Sequence, residues 1–117
     1  MAEVMPDIAV YKLLTHAQFT ALQSSGNYEL SGVDARDGYV HFSRKNQVAE
    51  TLRLHFDGQD VVLLEVECAP LIDFMKWEAS RGGELFPHLY GTFTTEEVRR
   101  HWEVVDADLP EEFVRAA

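Results

Sequence analysis

The run Val61-Val62-Leu63-Leu64-Glu65-Val66-Glu67-Cys68 constrains the fold more than any other segment. Apolar nearly throughout, it predicts a strand buried on both faces at the centre of a sheet, and Pro70 ends it. The rest of the chain must supply neighbours for that strand, and it reads as alternating short strands and helices.

Ile8 to Leu14 is β-branched and apolar and predicts a first strand. Thr15-His16-Ala17-Gln18 has capping-box spacing, so Thr15 opens a helix with Phe19 and Leu22 on its apolar stripe, stopping near Gly26. Tyr28 to Leu30 reads as a short extended piece and Ser31 to Gly38 as a polar loop leading into a strand, Tyr39-Val40-His41-Phe42. On that strand Tyr39 and His41 share one face, with Val40 and Phe42 on the other. Ser43 is read as the N-cap of a second helix, in which Val48, Leu52 and Phe56 recur at i, i+4 and i+8 before Asp57-Gly58.

Phe74 to Trp77 and Leu85 to Tyr90 are weaker extended pieces, separated by the Ser80-Arg81-Gly82-Gly83 loop. A second capping box, Thr94-Thr95-Glu96-Glu97, starts only a short helix, because Val98 to Val105 is richer in strand formers than in helical periodicity. The acidic tail, Asp106 to Ala117, contains Pro110 and is expected either to form a turn of helix around Phe113 or to fray.

At 117 residues, 46% hydrophobic and 26% charged, the chain fits one domain with a real core, residues 8–105, followed by the acidic tail 106–117. Twenty acidic against ten basic residues give a formal charge of −10, which repels phosphate backbones and anionic lipid. No nucleic-acid or membrane partner is expected, although Arg44-Lys45 and Arg99-Arg100 leave local basic spots for a small anion. The lone Cys68 cannot form an intramolecular disulfide and reads as core. The N-terminus lacks the basic and then apolar pattern of a signal peptide, and no stretch approaches a membrane span, so the cytoplasm is the expected location. The oligomeric state is left open.

Polar chemistry concentrates in two aromatic segments, Asp37-Gly38-Tyr39-Val40-His41-Phe42-Ser43 and Phe86-Pro87-His88-Leu89-Tyr90-Gly91. His41, between a glycine turn and a helix start, is placed for a neutral imidazole and nearby amides to hold a hydroxyl or phosphate oxygen. A histidine hydrogen-bonded in the core is the plain alternative for both His41 and His88. Glu78, beside Trp77 and just before the glycine loop, would suit a general base or a ribose-hydroxyl acceptor, with a solvated acid beside a core tryptophan as the plainer and favoured reading. His16, His55 and His101 read as solvated or structural. No HxH, HxxxH, HExxH or CxxC spacing, P-loop, GxGxxG or nucleophile elbow occurs, so no metal is expected.

These segments, with Val10-Tyr11-Lys12-Leu13-Leu14-Thr15, Gln47, Trp77-Glu78 and Val98, give a sequence that resembles a bacterial family catalogued as domain of unknown function 952. The His-x-Ser and Phe-Pro-His-x-Tyr-Gly elements are specific in combination, and the resemblance spans most of the chain. That family looks like a small relative of the ADP-ribosyltransferase fold, in particular its RNA 2'-phosphotransferase branch. The resemblance implies an α+β single domain, ADP-ribosylation-like, with a bent split β-sheet, two main helices and a cleft between the halves.

It also implies a ligand. Members of that fold place a histidine on the first strand and another in a His-x-Ser strand against NAD or ADP-ribose; His41 and Ser43 match the second element. Where family members often read Tyr-His, this chain has Tyr11-Lys12, so Lys12 is expected to contact an anion. By this resemblance Lys12, His41 and Ser43 orient ribose or phosphate, His41 and Glu78 are catalytic, and His88 with Tyr90 forms the opposite wall. NAD enters as substrate rather than as a resident cofactor, in an ADP-ribosyl- or phospho-transferase-like reaction. The alternatives are a non-catalytic small-ligand module and a protein-interaction domain.

Overall fold

In the computed structural model, which describes residues 9–115, the sequence forms two three-stranded antiparallel sheets with helices packed on them. The apolar run becomes β3 (Val61–Glu67). It is the middle strand of the first sheet, between β1 (Ala9–Leu14) and β6 (Val98–Val104). Val61, Val62, Leu63 and Leu64 are 0% exposed, and at about 2 kcal/mol for each aliphatic side chain this strand anchors both faces of its sheet. On one face Val62, Leu64 and Val66 pack with Val10, Leu14, Leu22, Phe42, Leu89 and Phe93. On the other, Val61 and Leu63 pack with Leu13, Val48, Leu52, Trp102 and Val104.

The helix α1 (His16–Ser25) is bounded as its sequence dictates. Thr15 and Gln18 form a reciprocal capping box, and Gly26 ends the helix at φ 83°, a left-handed conformation that costs glycine little. The segment read as a polar loop contains instead a short helix, α2 (Gly32–Asp37), closed by Gly38 at φ 84°. It buries Asp34 rather than an apolar stripe, so hydrophobic periodicity gives no sign of it. Tyr28 to Leu30 is not a strand; a single bridge, Asn27 to Thr94, holds the chain there.

The second sheet has the order β2-β5-β4, with β2 (Val40–His41), β4 (Met75–Ala79) and β5 (Leu85–Leu89). It is joined to the first through Tyr11 and Ser43, whose backbones exchange hydrogen bonds of 2.9 and 2.8 Å. That pairing overturns the N-cap reading of Ser43: its N–H and C=O serve a ladder, and its hydroxyl meets Thr51 Oγ1 at 3.1 Å. Arg44 precedes a 3-10 turn (Lys45–Gln47) that runs into α3 (Val48–His55), so His41 is not beside free helix N-terminal amides as Ser43 capping would have required.

Ala69–Phe74 is a 3-10 segment after β3, and Arg81–Gly83 forms the turn between β4 and β5. The second capping box opens only a 3-10 turn, Thr95–Glu97, before β6. The tail folds back as α4 (Glu111–Arg115), burying Phe113. Cys68 is buried, and burial pushes its thiol up. Ile8, expected at the start of the first strand, lies outside the described residues, as do the last two residues of the tail.

Candidate functional site

Antiparallel pairing of β2 with β5 sets His41 directly opposite His88, and that register builds the site. The imidazole centroids are 5.3 Å apart. Tyr39, raised beside them by the Gly38 turn, covers both rings, 4.5 Å from His41 and 4.3 Å from His88, and lies 4.9 Å from Tyr90. Four π faces therefore meet in one patch whose edges carry carboxylates.

Each histidine is held by acids from a different element. His41 Nδ1 lies 2.6 Å from Asp34 Oδ1, and its Nε2 lies 3.1 Å from Asp37 Oδ2. Carboxylate oxygens only accept, so a ring nitrogen that carries a proton donates it to its acid. Asp34 is itself buried and fully engaged: it accepts from the Tyr28 hydroxyl at 2.5 Å, from the His41 backbone N–H at 3.2 Å, and pairs with Lys12 Nζ at 3.0 Å. Burial pushes this carboxyl up, but bonds from His41 and the Lys12 charge outweigh it and hold it at about 2. Burial lowers Lys12, and pushes the Tyr28 hydroxyl well up with help from the Asp34 bond.

His88 is 4% exposed. Its Nδ1 lies 2.8 Å from Glu78 Oε1, which also accepts from the Tyr90 hydroxyl at 2.7 Å. Those two bonds, that from His88 first, hold the Glu78 carboxyl below its ordinary value, and the same carboxylate raises Tyr90 to about 12. No described group bonds Nε2 of His88. The one buried side-chain nitrogen or oxygen left without a partner among the described residues is Arg44 Nε.

The residues singled out in the sequence thus divide. His41, Glu78, His88 and Tyr90 converge on one face of the β2-β5-β4 sheet. Lys12 lies behind it, 11% exposed at its side chain, donating to the His41 carbonyl at 3.1 Å while paired with Asp34. Ser43 is buried at the junction of the two sheets, against Thr51. The sequence reading missed Asp34, Asp37, Tyr28 and Tyr39 as site residues. Two acids spaced i, i+3 before a left-handed glycine were the available signal, since that spacing puts both on one side of a helical turn.

A shallow groove of about 490 Å³ runs elsewhere, between α1 and the segment 27–31, lined by Gln18, Leu22, Ser25, Tyr28, Leu30 and Ser31 among others. It touches the site only through Tyr28. Among the described residues no group of three or more His, Cys, Asp or Glu side chains is arranged to hold a metal, and no helix is long and apolar enough to cross a membrane.

Comparison with known proteins places this geometry in context. The crystal structure of protein CC0527 from Caulobacter crescentus is similar at 43% identity and a TM-score of 0.79, covering 88% of this chain and 89% of that one. The solution NMR structure of the same Caulobacter protein matches at 43% identity and a TM-score of 0.74, covering 89% and 88%. Comparison with curated proteins gives no match. The family profile described as protein of unknown function (DUF952) matches residues 13–101, and the chain therefore belongs to that family.

Proposed function

We propose that the face carrying Tyr39, His41, Glu78, His88 and Tyr90 binds a small nucleotide-like ligand, of which NAD and ADP-ribose are the first to test, and that His88 acts there as hydroxyl acceptor or general base. The observation that carries this reading is the Glu78–His88 pair. A carboxylate fixes Nδ1 of a buried imidazole while no described group bonds Nε2, the arrangement that would present an oriented lone pair to a substrate hydroxyl or water admitted beside it. Tyr39 and Tyr90 offer faces for a flat ring, and Glu78 acts through His88.

With NAD as substrate, His88 Nε2 would take the proton of the attacking hydroxyl as its oxygen bonds to the ribose carbon. The glycosidic carbon–nitrogen bond breaks, and nicotinamide leaves with the bonding pair. A second reading, binding without turnover, is favoured by one feature: both nitrogens of His41 already bond carboxylates, which leaves this ring to orient rather than react.

Ligand-observed NMR with NAD and ADP-ribose, followed for hours, tests both. Binding lost in His88→Gln, with an unchanged melting temperature, supports the site, and nicotinamide release makes it an enzyme. Absence of binding at millimolar NAD and ADP-ribose would overturn the nucleotide reading.

A further inference from the structure

The outer edge of β4 is open: among the described residues the order β2-β5-β4 ends there. Phe74 O accepts from Tyr90 N at 2.8 Å and Ser80 N donates to Glu84 O at 2.9 Å, so even-numbered residues of this strand bond β5. By the alternation of an antiparallel ladder, the odd-numbered residues Trp77 and Ala79 aim their N–H and C=O groups outward. Met75 aims its carbonyl the same way, while its N–H is taken by Ile72 O. An edge with this much open backbone is a template for another strand.

We propose that the second strand is β4 of another copy of this chain, paired antiparallel about a two-fold axis at Trp77. The charges select that register. Lys76 and Glu78 flank Trp77 on the sheet face that carries His88 and Tyr90, since Lys76 pairs with His88 across the ladder and Glu78 Oε1 bonds both His88 and Tyr90. An axis at Trp77 sets Lys76 of each copy opposite Glu78 of the other. An axis at residue 76 would oppose two lysines, and one at 78 two glutamates, and directly opposed like charges destabilise.

In the selected register the two Trp77 backbones exchange both bonds, and each Ala79 N–H reaches the Met75 carbonyl of the other copy. Met75 N–H, already used, is not required. Phe74, 62% exposed, comes to lie against Ser80 of the other copy. Among the described residues β6 also ends a sheet, but it is a poorer template, because a bulge in its pairing with β3 at Glu65/Val66 interrupts the regular alternation of the strand.

The pairing bears on the site as well as on the assembly. Glu78 Oε1 already takes bonds from His88 Nδ1 and Tyr90 OH, and Lys76 lies over the Tyr90 ring at 4.8 Å. In the dimer an ammonium from the second copy joins the groups around that carboxylate, so each protomer supplies a positioning residue to the other. The assembly does not depend on the identity of the ligand, and its test reads mass rather than binding or turnover.

Sedimentation velocity from about 1 µM to 1 mM, at physiological salt where a Debye length of about 8 Å screens the −10 charge of each chain, tests the proposal. A concentration-dependent dimer is expected. Lys76→Glu should weaken it tenfold or more, and the swap Lys76→Glu with Glu78→Lys should restore most of that loss. Ala79→Pro, which removes an outward N–H and no ladder bond to β5, should abolish the dimer while circular dichroism stays unchanged. A monomer at 1 mM, or a dimer indifferent to Lys76→Glu or Ala79→Pro, would overturn it.

Discussion

Lys12 Nζ lies 3.0 Å from Asp34 Oδ2 and 3.1 Å from the His41 carbonyl, so one buried ammonium ties β1 to α2 and to β2. Both side chains are close to fully covered, and neither can be removed without leaving the other's charge in a low-dielectric site. Lys12→Met should therefore cost about 3 kcal/mol or more, read by urea unfolding, although it deletes no residue of the aromatic face. A cost under about 1 kcal/mol would show that water reaches the pair.

The same carboxylate makes stability depend on acid. Asp34 titrates at about 2 in the fold and near 3.9 in an unfolded chain, so the folded state holds it ionised more strongly. Its contribution, on the order of 2 kcal/mol, is fully present above about pH 4 and is lost as pH falls through about 2. Unfolding free energies from pH 6 to 2 should fall steeply for the natural chain. Asp34→Asn, less stable at pH 6, should show a shallower decline; equal slopes would place the acid response elsewhere.

His88 should exist as the Nδ1–H tautomer with Nε2 bare, because Glu78 accepts at Nδ1. Long-range nitrogen–proton NMR distinguishes the two tautomers directly. In Glu78→Ala that preference should collapse toward the Nε2–H form, and ligand affinity should fall by about tenfold if the oriented lone pair matters. A tautomer unchanged by Glu78→Ala would remove the basis for treating the pair as a unit.

The sequence made the frame of this molecule legible where local chemistry and tertiary demand agree. Thr15 and Gln18 cap α1 because hydroxyl and amide spacing suffices, and β3 is central because its side chains leave no polar face. Ser43 was misread because a ladder bond to Tyr11, distant in sequence, outweighed a local capping preference. The helix α2 was illegible for a related reason: its inward residue is an acid, Asp34, whose burial makes sense only once Lys12 and Tyr28 have arrived from other elements. Of the candidate site, the two histidines, Glu78 and Tyr90 could be named from their aromatic settings, while the acids that hold His41 left only their spacing before Gly38 as a signal.

The C-terminal tail offers a prediction that separates a docked segment from a fraying one. Phe113 is 3% exposed, edge-on to Tyr11 at 5.3 Å and to Trp102 at 5.7 Å, with the Lys45 ammonium 5.1 Å from its ring centre. Trp102 Nε1 donates to Glu112 at 2.7 Å, which fixes α4 from a second side. A ring so enclosed behaves as core, so Phe113→Ala should cost about 3 kcal/mol in urea unfolding, in the range of other buried phenylalanines. Glu112→Ala should cost about 1 kcal/mol, the worth of one partly buried hydrogen bond. Because Phe113 packs on Tyr11, whose backbone pairs with Ser43 and so joins the sheets, amide exchange at Tyr11 and Ser43 should accelerate in Phe113→Ala. A tail that merely frays in solution would leave both stability and exchange unchanged.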